Sequence, residues 1–360
     1  MDALSLYDTA ELLQLIETVF EPEQFLVNRF FPTVHESTTT QILFDRFTEN
    51  ESIAPFVSPN VAGRPMRREG RFTDAFRPAY VKPKMTITPD DAFRRAAGEQ
   101  VGVGTMSAQE RFDIAVMMGL QKQLRSIERR LEWMAASALT RSSVTVVGDG
   151  YPSVTVDFAR NPSHTIELLG DDAWSNPNVE IGDDLEDWSM LVLEATGAAA
   201  TDVIMTPDVW RVLMRNSNFR ELFKTFQSLG GSLPGILPAV QKRNLYKGQF
   251  GSFHLWVYQD WSRDEDGVKH KYMPPGTVTM VAAGETGVAG VQAFGAIQDI
   301  RALQPMRWFP KMFEQDDPSA LVLLTQSAPL LIPVRPDATV SVQVLPPADE
   351  MGEEEADEAP

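Results

Sequence analysis

The chain has 360 residues, of which 43% are hydrophobic, and it carries a formal net charge of −18 at pH 7. This length and apolar content suffice to bury a sizeable core in one large or two medium domains. Because the chain has no cysteine, a disulfide framework, a thiolate nucleophile and a cysteine metal site are excluded. The acidic balance speaks against a protein that binds nucleic acid through a broadly basic surface.

The first elements in chain order are a short amphipathic helix and an extended arm. Thr9 is placed to cap the helix, and one of its faces carries apolar side chains, namely Leu12, Leu13, Ile16 and Val19. The arm continues through FLVNRFFP, residues 25–32, and the alternation in TTTQILFDRF, residues 38–47, predicts a strand. The start has no basic segment before an apolar run, so no signal peptide is expected. No run of about eighteen apolar residues predicts a membrane span.

The stretch FTDAFRPAYVKPKMTITPD, residues 72–90, reads as an edge ribbon. Its prolines Pro78, Pro83 and Pro89 favour an extended chain but would disrupt a central strand. The nearby sequence offers no obvious core for its β-forming side chains, which are Phe76, Tyr80, Val81 and Ile87. A neighbouring subunit is therefore one candidate for the surface on which they pack.

Charge is unevenly distributed over this part of the chain. Residues 1–56 carry ten acidic side chains and two basic ones, a net charge of −8, whereas residues 64–84 carry seven basic and two acidic side chains, a net charge of +5. The two segments are electrostatic complements, which favours contact between subunits. The alternative is that both are solvated faces.

A single long helix is predicted for residues 107–140. Ser107 and Glu110 have the spacing of a capping box. Apolar residues then recur every three or four positions, at Phe112, Val116, Leu120, Leu124, Ile127, Leu131, Met134 and Ala138. At 1.5 Å per residue the helix would be about 50 Å long, which suits a strut better than a helix of a compact globule.

The remaining chain predicts mixed α and β structure with mostly antiparallel sheets. SSVTVVGDGYPSVTVDFAR, residues 142–160, is typical of a hairpin, and residues 182–197 predict a helix stopped by Gly197. Strands are predicted in residues 202–206, 247–261, 271–284 and 321–345. The acidic segment, residues 348–360, carries seven acidic side chains and no basic one and is expected to be disordered.

Candidate catalytic and metal-binding residues are few. The histidines His35, His164, His254 and His270 lack the spacing of a zinc site, and no metal or cofactor is expected. Ser232 in GGSLPG only approximates a nucleophile elbow, because Pro234 replaces the second glycine, so a loop is favoured. Tight turns account for Gly284, Gly287, Gly290 and Gly295, and an acidic hairpin turn accounts for Asp264, Glu265, Asp266 and Gly267.

A series of motifs resembles the major capsid proteins of lambda-like tailed bacteriophages. The most specific are VSP at residues 57–59, AYVKPK at 79–84 and TQSAPLL at 325–331. YKGQFGSFHLWVY at residues 246–258 and RPDATVSVQVL at 335–345 follow the same order. The resemblance covers nearly the whole chain, and the acidic residues after Val344 fall outside it.

This resemblance implies an α+β Hong Kong 97-like capsid fold with a long spine helix, antiparallel sheets, an extended loop and an amino-terminal arm. The implied parts are an arm over residues 1–50, an extended loop over 51–90, a peripheral domain over 91–180 and 301–345, an axial domain over 181–300, and a disordered acidic tail over 346–360. The spine is the helix predicted at residues 107–140.

The implied function is that of a major capsid protein, which is not an enzyme. It self-assembles in the host cytoplasm into hexamers and pentamers of an icosahedral virion head around double-stranded DNA, without sequence-specific DNA binding. The implied partners are further copies of the chain, a cement or decoration protein, a scaffolding protein and a portal protein, with no membrane. The side chains expected to contact neighbouring subunits are Arg67, Arg68, Arg71, Phe72, Phe76, Tyr80, Val81, Lys82 and Lys84 of the loop and Phe25, Phe30 and Phe31 of the arm.

Three alternatives accompany this interpretation. A shell of the same fold can be an encapsulin compartment, and a cytosolic hydrolase would use Ser232 as its nucleophile. Some shells of this fold join a loop lysine to a neighbouring asparagine, a role for which Lys82 and Lys84 are the candidates. Lambda-like relatives rely on a cement protein, which argues against that crosslink.

Overall fold

The computed structural model describes residues 7–19, 24–47, 56, 60, 71–93, 107–148, 150–228, 244–263, 267–284, 286–302 and 305–346. Several predictions lie outside these residues. They concern Arg67, Arg68, Ser232, the turn residues Asp264, Glu265 and Asp266, and the acidic segment at 348–360.

The helices of the described part of the chain are α1 (Thr9–Val19), α2 (Phe25–Phe30), α3 (Pro89–Phe93), α4 (Ala108–Arg141), α5 (Ile181–Thr196), α6 (Pro207–Leu213) and α7 (Ser217–Ser228). The strands of the same residues are β1 (Thr33–Glu36), β2 (Ile42–Phe47), β3 (Arg71–Phe76), β4 (Lys84–Ile87), β5 (Ser143–Gly148), β6 (Tyr151–Asp157), β7 (Thr165–Glu167), β8 (Asp202–Met205), β9 (Asn244–Phe250), β10 (Phe253–Tyr258), β11 (Trp261–Arg263), β12 (Lys269–Lys271), β13 (Thr277–Val281), β14 (Val291–Phe294), β15 (Phe309–Gln315), β16 (Ala320–Gln326), β17 (Pro329–Ile332) and β18 (Thr339–Gln343).

The largest sheet of the described residues has six strands in the order β7-β18-β13-β8-β10-β9. Its pairs are antiparallel except β8 with β10 and β7 with β18. A smaller sheet, β1-β14-β17, contains the parallel pair β1 with β14. The prediction of mostly antiparallel sheets is confirmed, with these parallel pairs as the exceptions.

Helix α4 confirms the predicted long helix. Its first turn is closed by a complete capping box: the Ser107 hydroxyl accepts from the backbone N–H of Glu110 at 3.2 Å, and the Glu110 carboxylate accepts from the N–H of Ser107 at 2.7 Å. The bonds that the Ser107 N–H and the Ser107 hydroxyl donate to the Glu110 carboxylate lower the pKa of Glu110. The helix ends at Ser142, whose φ of 52° breaks the helical path.

The two halves of α4 pack into different hydrophobic clusters. The first half packs with α1, β4, β15 and β16, in a cluster made of Leu12, Ile16, Ile87, Phe112, Val116, Leu120, Leu124, Met312 and Leu323. The second half, from Leu131 to Leu139, belongs to the main core with the six-stranded sheet. Each buried side chain of this size contributes about 1.5–3 kcal/mol to the stability of the fold. Since α4 contributes such side chains to both clusters, it joins the two cores as a strut.

The carbonyl groups at the C-terminal end of α4 accept hydrogen bonds from a buried arginine. Arg160 donates to the carbonyls of Leu139 at 2.8 Å and Thr140 at 2.7 Å, which have no partner within the helix. It also donates to the hydroxyls of Thr165 and Thr339. Burial lowers the pKa of Arg160 to about 10, from an ordinary 12.5.

The cap of α1 differs from the prediction. The N–H of Leu12 donates to the carbonyl of Asp8 at 3.0 Å, so Asp8 rather than Thr9 is the capping residue. The Glu11 carboxylate accepts from the N–H of Asp8 at 2.8 Å. The apolar face is as predicted for Leu12 and Ile16, which are buried.

Candidate assembly surface

A two-stranded antiparallel ribbon, β2 and β3, lies on either side of segment 48–70, in register from Ile42 opposite Phe76 to Phe47 opposite Arg71. One face of β2 lies on the subunit: Ile42 and Phe44 are buried, and the ring of Phe44 lies 6.2 Å from that of Phe158. Leu43, between them, is 61% exposed. The ribbon therefore covers the body with one face and presents the other.

The return segment after β3 is fixed to the same chain by side-chain hydrogen bonds. The Tyr80 hydroxyl donates to the carbonyl of Ala296 at 3.1 Å and accepts from the N–H of Gln298 at 2.9 Å. The guanidinium of Arg77 donates to the Gln298 side chain at 3.2 Å, and the Tyr151 hydroxyl donates to the carbonyl of Arg77. The base of the loop is thus anchored at several points.

Backbone hydrogen bonds also attach this segment to the subunit. Val81 and Ser327 exchange both N–H to carbonyl bonds, at 2.8 and 3.0 Å, and β4 then pairs with β16. Pro83 lies between these pairs and contributes only its carbonyl, which accepts from Thr325 at 3.2 Å. The segment is therefore an edge strand, in agreement with the predicted edge ribbon, and the strand that pairs with it belongs to the same chain.

The predicted loop contacts fall into three groups. Phe76 packs against the main core, and Tyr80 and Val81 are half-buried on the subunit itself. Lys82 and Lys84 are exposed, with the Lys82 ammonium 4.5 Å from the centre of the Tyr80 ring. Arg71 and Phe72 belong to β3, but their side chains lie outside the described set, as do Arg67 and Arg68 entirely.

The predicted arm contacts are corrected by the structure. FLVNRF forms the helix α2, and its aromatic side chains are interior: Phe25 is 6%, Phe30 1% and Phe31 0% exposed. The reason is that three aromatic rings gain more from burial against the sheet and α4 than from an exposed arm.

A buried carboxylate on α4 caps this helix. Glu132 accepts from the backbone N–H groups of Leu26 at 2.9 Å and Val27 at 3.2 Å, and from the Tyr258 hydroxyl at 3.3 Å. Desolvation raises the pKa of Glu132 to about 7, with the nearby charge of Asp260 adding to the rise. The N–H groups at the start of a helix are otherwise unpaired, and a carboxylate there is favourable.

A second contact joins α2 to the six-stranded sheet. The guanidinium of Arg29 donates to Asp202 at 2.6 and 3.0 Å and lies 4.8 Å from the ring of Trp256. The indole N–H of Trp256 donates to the same carboxylate oxygen at 2.8 Å. Asp202 is 1% exposed, so the residues that the sequence assigned to an arm are locked into the body.

Sequence reasoning missed Glu132, Asp202 and Arg160. One signal was present for the first of them, because Glu128 and Glu132 are adjacent to the apolar positions Ile127 and Leu131 on the predicted helix. Asp202 and Arg160 carry no local signal. Their roles depend on partners distant in the sequence.

Some of the residues considered for chemistry have structural roles. His164 is buried with Nδ1 3.1 Å from the Thr339 carbonyl, and no metal-binding group of His, Asp and Glu occurs among the described residues. Gly284 has a φ of 95°, and a Cβ on Gly287 would lie 2.0 Å from the Ala282 carbonyl oxygen, as expected of tight turns. The described helices include none that is long and apolar enough to span a bilayer.

Comparison with known proteins extends these observations. The family described as phage major capsid protein E matches residues 8–344. The major capsid protein of Enterobacteria phage P21 is 29% identical over 350 residues, covering 95% of this chain and all of the relative. That of Escherichia phage lambda is 28% identical over 346 residues, with the same coverage. The crystal structure of a prophage capsid protein from Escherichia coli CFT073 has a TM-score of 0.73 at 23% identity, covering 95% of this chain and all of the other.

The strut helix between two cores, the anchored ribbon and the structural match define a subunit of the Hong Kong 97-like capsid fold. The chain belongs to the phage major capsid protein E family. It is a major capsid protein, a component of the virion shell that associates with copies of itself. This family assignment favours the phage head over the encapsulin compartment.

Proposed function

We propose that the extended loop makes the principal contact between neighbouring copies in a closed shell of hexamers and pentamers around double-stranded DNA. The observation that carries this proposal is the contrast between the base and the outer face of the loop. The base is hydrogen-bonded to the subunit through Tyr80 and Val81, whereas Leu43 is 61% exposed and Phe56 fully exposed. Exposed large apolar side chains are typical of a surface that a partner covers.

The positions of basic residues also support this surface as the contact between copies. Segment 48–70 joins the far ends of β2 and β3 and contains Arg64, Arg67 and Arg68. Lys82 and Lys84 are exposed beside the base. Exposed ion pairs are worth only about 0–1 kcal/mol each, so these charges set register with an acidic neighbour, and apolar burial supplies the strength.

The domain division is refined by the sheet topology. The six-stranded sheet joins β7 and β18 to strands from residues 202–281, so a boundary at residue 181 or 301 would separate hydrogen-bonded strands. We therefore infer an axial domain that includes β7 and β18. The peripheral domain keeps α4, the β5–β6 hairpin and the β15-β16-β4 sheet.

The experiment compares shells formed by two double variants, each of which replaces two exposed apolar side chains by serine. Leu43→Ser with Phe56→Ser should give a folded subunit that fails to close shells in negative-stain micrographs. The control is Met190→Ser with Leu222→Ser, whose native side chains are 53% and 47% exposed on α5 and α7. Equal shell yields from both variants would refute the role of the loop.

Further partners follow from the family alone. We infer that the shell binds a decoration protein, a scaffolding protein during assembly and a portal protein at one vertex. Since a decoration protein would supply the stability of mature shells, we expect no covalent bond at Lys82 or Lys84. Boiling shells in detergent should release monomers.

A further inference from the structure

An unassigned cleft lies between the middle of α4 and the β11–β12 hairpin. It has a volume of about 580 Å³, and its lining combines basic and aromatic side chains: Arg129, Arg130 and Trp133 from α4, and Trp261, Arg263 and His270 from the hairpin. None of the described residues that line it is acidic. A basic cleft is unusual on a chain with a net charge of −18.

The positive charge results from how α4 is oriented. In the stretch from Lys122 to Trp133, Lys122, Arg125, Arg129 and Arg130 are exposed, whereas Glu128 and Glu132 are turned inward and are 5% and 3% exposed. The sequence of this stretch mixes both signs of charge. Folding separates them and leaves a basic outer face.

Aromatic rings hold these cations in place. The guanidinium of Arg130 lies 5.2 Å from the ring of Trp133. The ring of Trp261 has the Arg263 guanidinium 5.5 Å away and the Lys269 ammonium 4.4 Å away. Because these cations already lie against aromatic rings, binding of an anion would require less additional ordering of their side chains.

We propose that this cleft binds the chain's own acidic segment, residues 348–360. The segment carries seven acidic side chains and no basic one. The cleft carries the opposite charge. Carboxylates and arginine side chains form charge-assisted hydrogen bonds, which are about twice as strong as neutral ones.

The last described residues are hydrogen-bonded to the region beside a neighbouring cavity. Leu345 donates its N–H to the carbonyl of Gly276, and the N–H of Gly276 donates to Thr206 at 3.2 Å. Thr206 lines a cavity of about 330 Å³ that shares Trp261 with the basic cleft. Residues 346–360 can extend about 50 Å, as far as the whole length of α4, so the cleft is within reach.

The shape of the cleft favours a flexible peptide over duplex DNA. A double helix is stiff, with a persistence length of about 150 base pairs. It would touch only the rim of a cleft that lies between a helix and a hairpin. The family match ends at residue 344, so this interaction belongs to this chain and goes beyond shell assembly.

Because the chain has no cysteine, introduced thiols give a clean test. Ser126 is exposed and lines the cleft. The full-length variant Ser126→Cys with Ala356→Cys should form an intrachain disulfide with diamide, seen as a faster band on a non-reducing gel and confirmed by mass spectrometry. The matched control is Ser319→Cys with Ala356→Cys, because Ser319 is exposed in a cavity lined by Glu314 and Asp316.

Substitution of the arginine side chains of the cleft provides a second test. Adding Arg129→Ser with Arg130→Ser should lower the crosslinking rate on the order of tenfold, the loss expected for one charged hydrogen bond. Adding Arg215→Ser with Arg220→Ser changes the net charge equally at exposed positions of the α6–α7 region and should leave the rate unchanged. About 1 M salt, which shortens the screening length to about 3 Å, should slow crosslinking at Ser126.

Three outcomes would overturn the proposal. One is equal crosslinking at Ser126 and Ser319. The second is a disulfide that links two chains, which would place the segment in a neighbour's cleft. The third is that a short DNA duplex binds the full chain as tightly as a variant lacking residues 348–360, with both affinities reduced by the loss of Arg129 and Arg130.

Discussion

The carboxylate of Glu132 on α4 accepts a hydrogen bond from the backbone N–H of Leu26 at 2.9 Å, between residues 106 positions apart in the sequence. This contact fixes the start of α2 on the long helix. It replaces the water that would otherwise solvate the first N–H groups of a helix. The contact also makes subunit stability sensitive to the protonation of one buried group.

We expect the variant Glu132→Gln to change the pH dependence of unfolding. Burial raises the pKa of Glu132 from an ordinary 4.5 to about 7, so the native state holds its proton more tightly than the unfolded state does. The stabilisation is complete below about pH 4.5 and is lost as the pH rises through about 7. Glutamine does not titrate, so the variant should lack this loss.

The measurement is urea unfolding of the dissociated subunit at about pH 5 and about pH 8. The wild type should lose more unfolding free energy than Glu132→Gln over this interval. Glu194→Gln, at an exposed position of α5, should behave as the wild type does. Parallel pH profiles for the wild type and Glu132→Gln would contradict the assignment.

Removing Asp202 should destabilise the subunit strongly. Asp202→Ala leaves the Arg29 guanidinium and the Trp256 indole N–H without their acceptor, and we expect a loss of about 2–4 kcal/mol in unfolding free energy. Asp208→Ala breaks an exposed pair with Arg211, which is 69% exposed, and should cost less than about 1 kcal/mol. Chemical denaturation of both variants checks the difference, and similar losses would argue against a buried role for Asp202.

A methyl group at Gly290 should disrupt the docking of α2. The Cβ of Gly290→Ala would lie 2.2 Å from the carbonyl oxygen of Phe30, the group to which the Gly290 N–H donates. We expect a loss of about 1–3 kcal/mol or more in unfolding free energy. Gly182→Ala is the control, because its Cβ would meet only the Phe250 ring at 3.7 Å, and its effect should stay within about 1 kcal/mol. A neutral Gly290→Ala would show that this contact is loose.

The anchor of the extended loop can be weakened without changing its outer face. Tyr80→Phe removes one donor to Ala296 and one acceptor from Gln298, and we expect a loss of about 1 kcal/mol. Amide hydrogen exchange should accelerate in residues 81–87 and 321–327, and exchange in α5 should stay unchanged as the internal control. Unchanged exchange next to Tyr80 would mean that the backbone pairs alone hold the loop.

Local sequence patterns were sufficient to predict much of the fold. The capping box and the apolar spacing predicted α4, the Gly-Asp-Gly turn predicted the β5–β6 hairpin, and Gly197 marked the end of α5. These elements are encoded by residues close together in the chain. The antiparallel partners that follow one another in sequence, such as β9 with β10, were predictable for the same reason.

The burial of α2 and the pairing of the return segment have a nonlocal cause. Residue types and prolines predicted an extended arm at residues 25–32 and an edge ribbon at residues 72–90. The partners that bury them are Glu132, Asp202 and Ser327, which lie more than a hundred residues away in most of these contacts. Pattern can show that a surface is apolar, but it does not show whether the subunit itself or a neighbour covers it.

The sequence by itself determined the family, the long helix, most strands and the separation of acidic and basic segments, because each rests on residue type and short-range spacing. Only the tertiary structure decided which acidic side chains are interior. Glu128 and Glu132 face the core while Arg129 and Arg130 remain outside, since a helix turns about 100° per residue and only one face of α4 meets the sheet. That rotation fixes both the buried cap of α2 and the basic cleft.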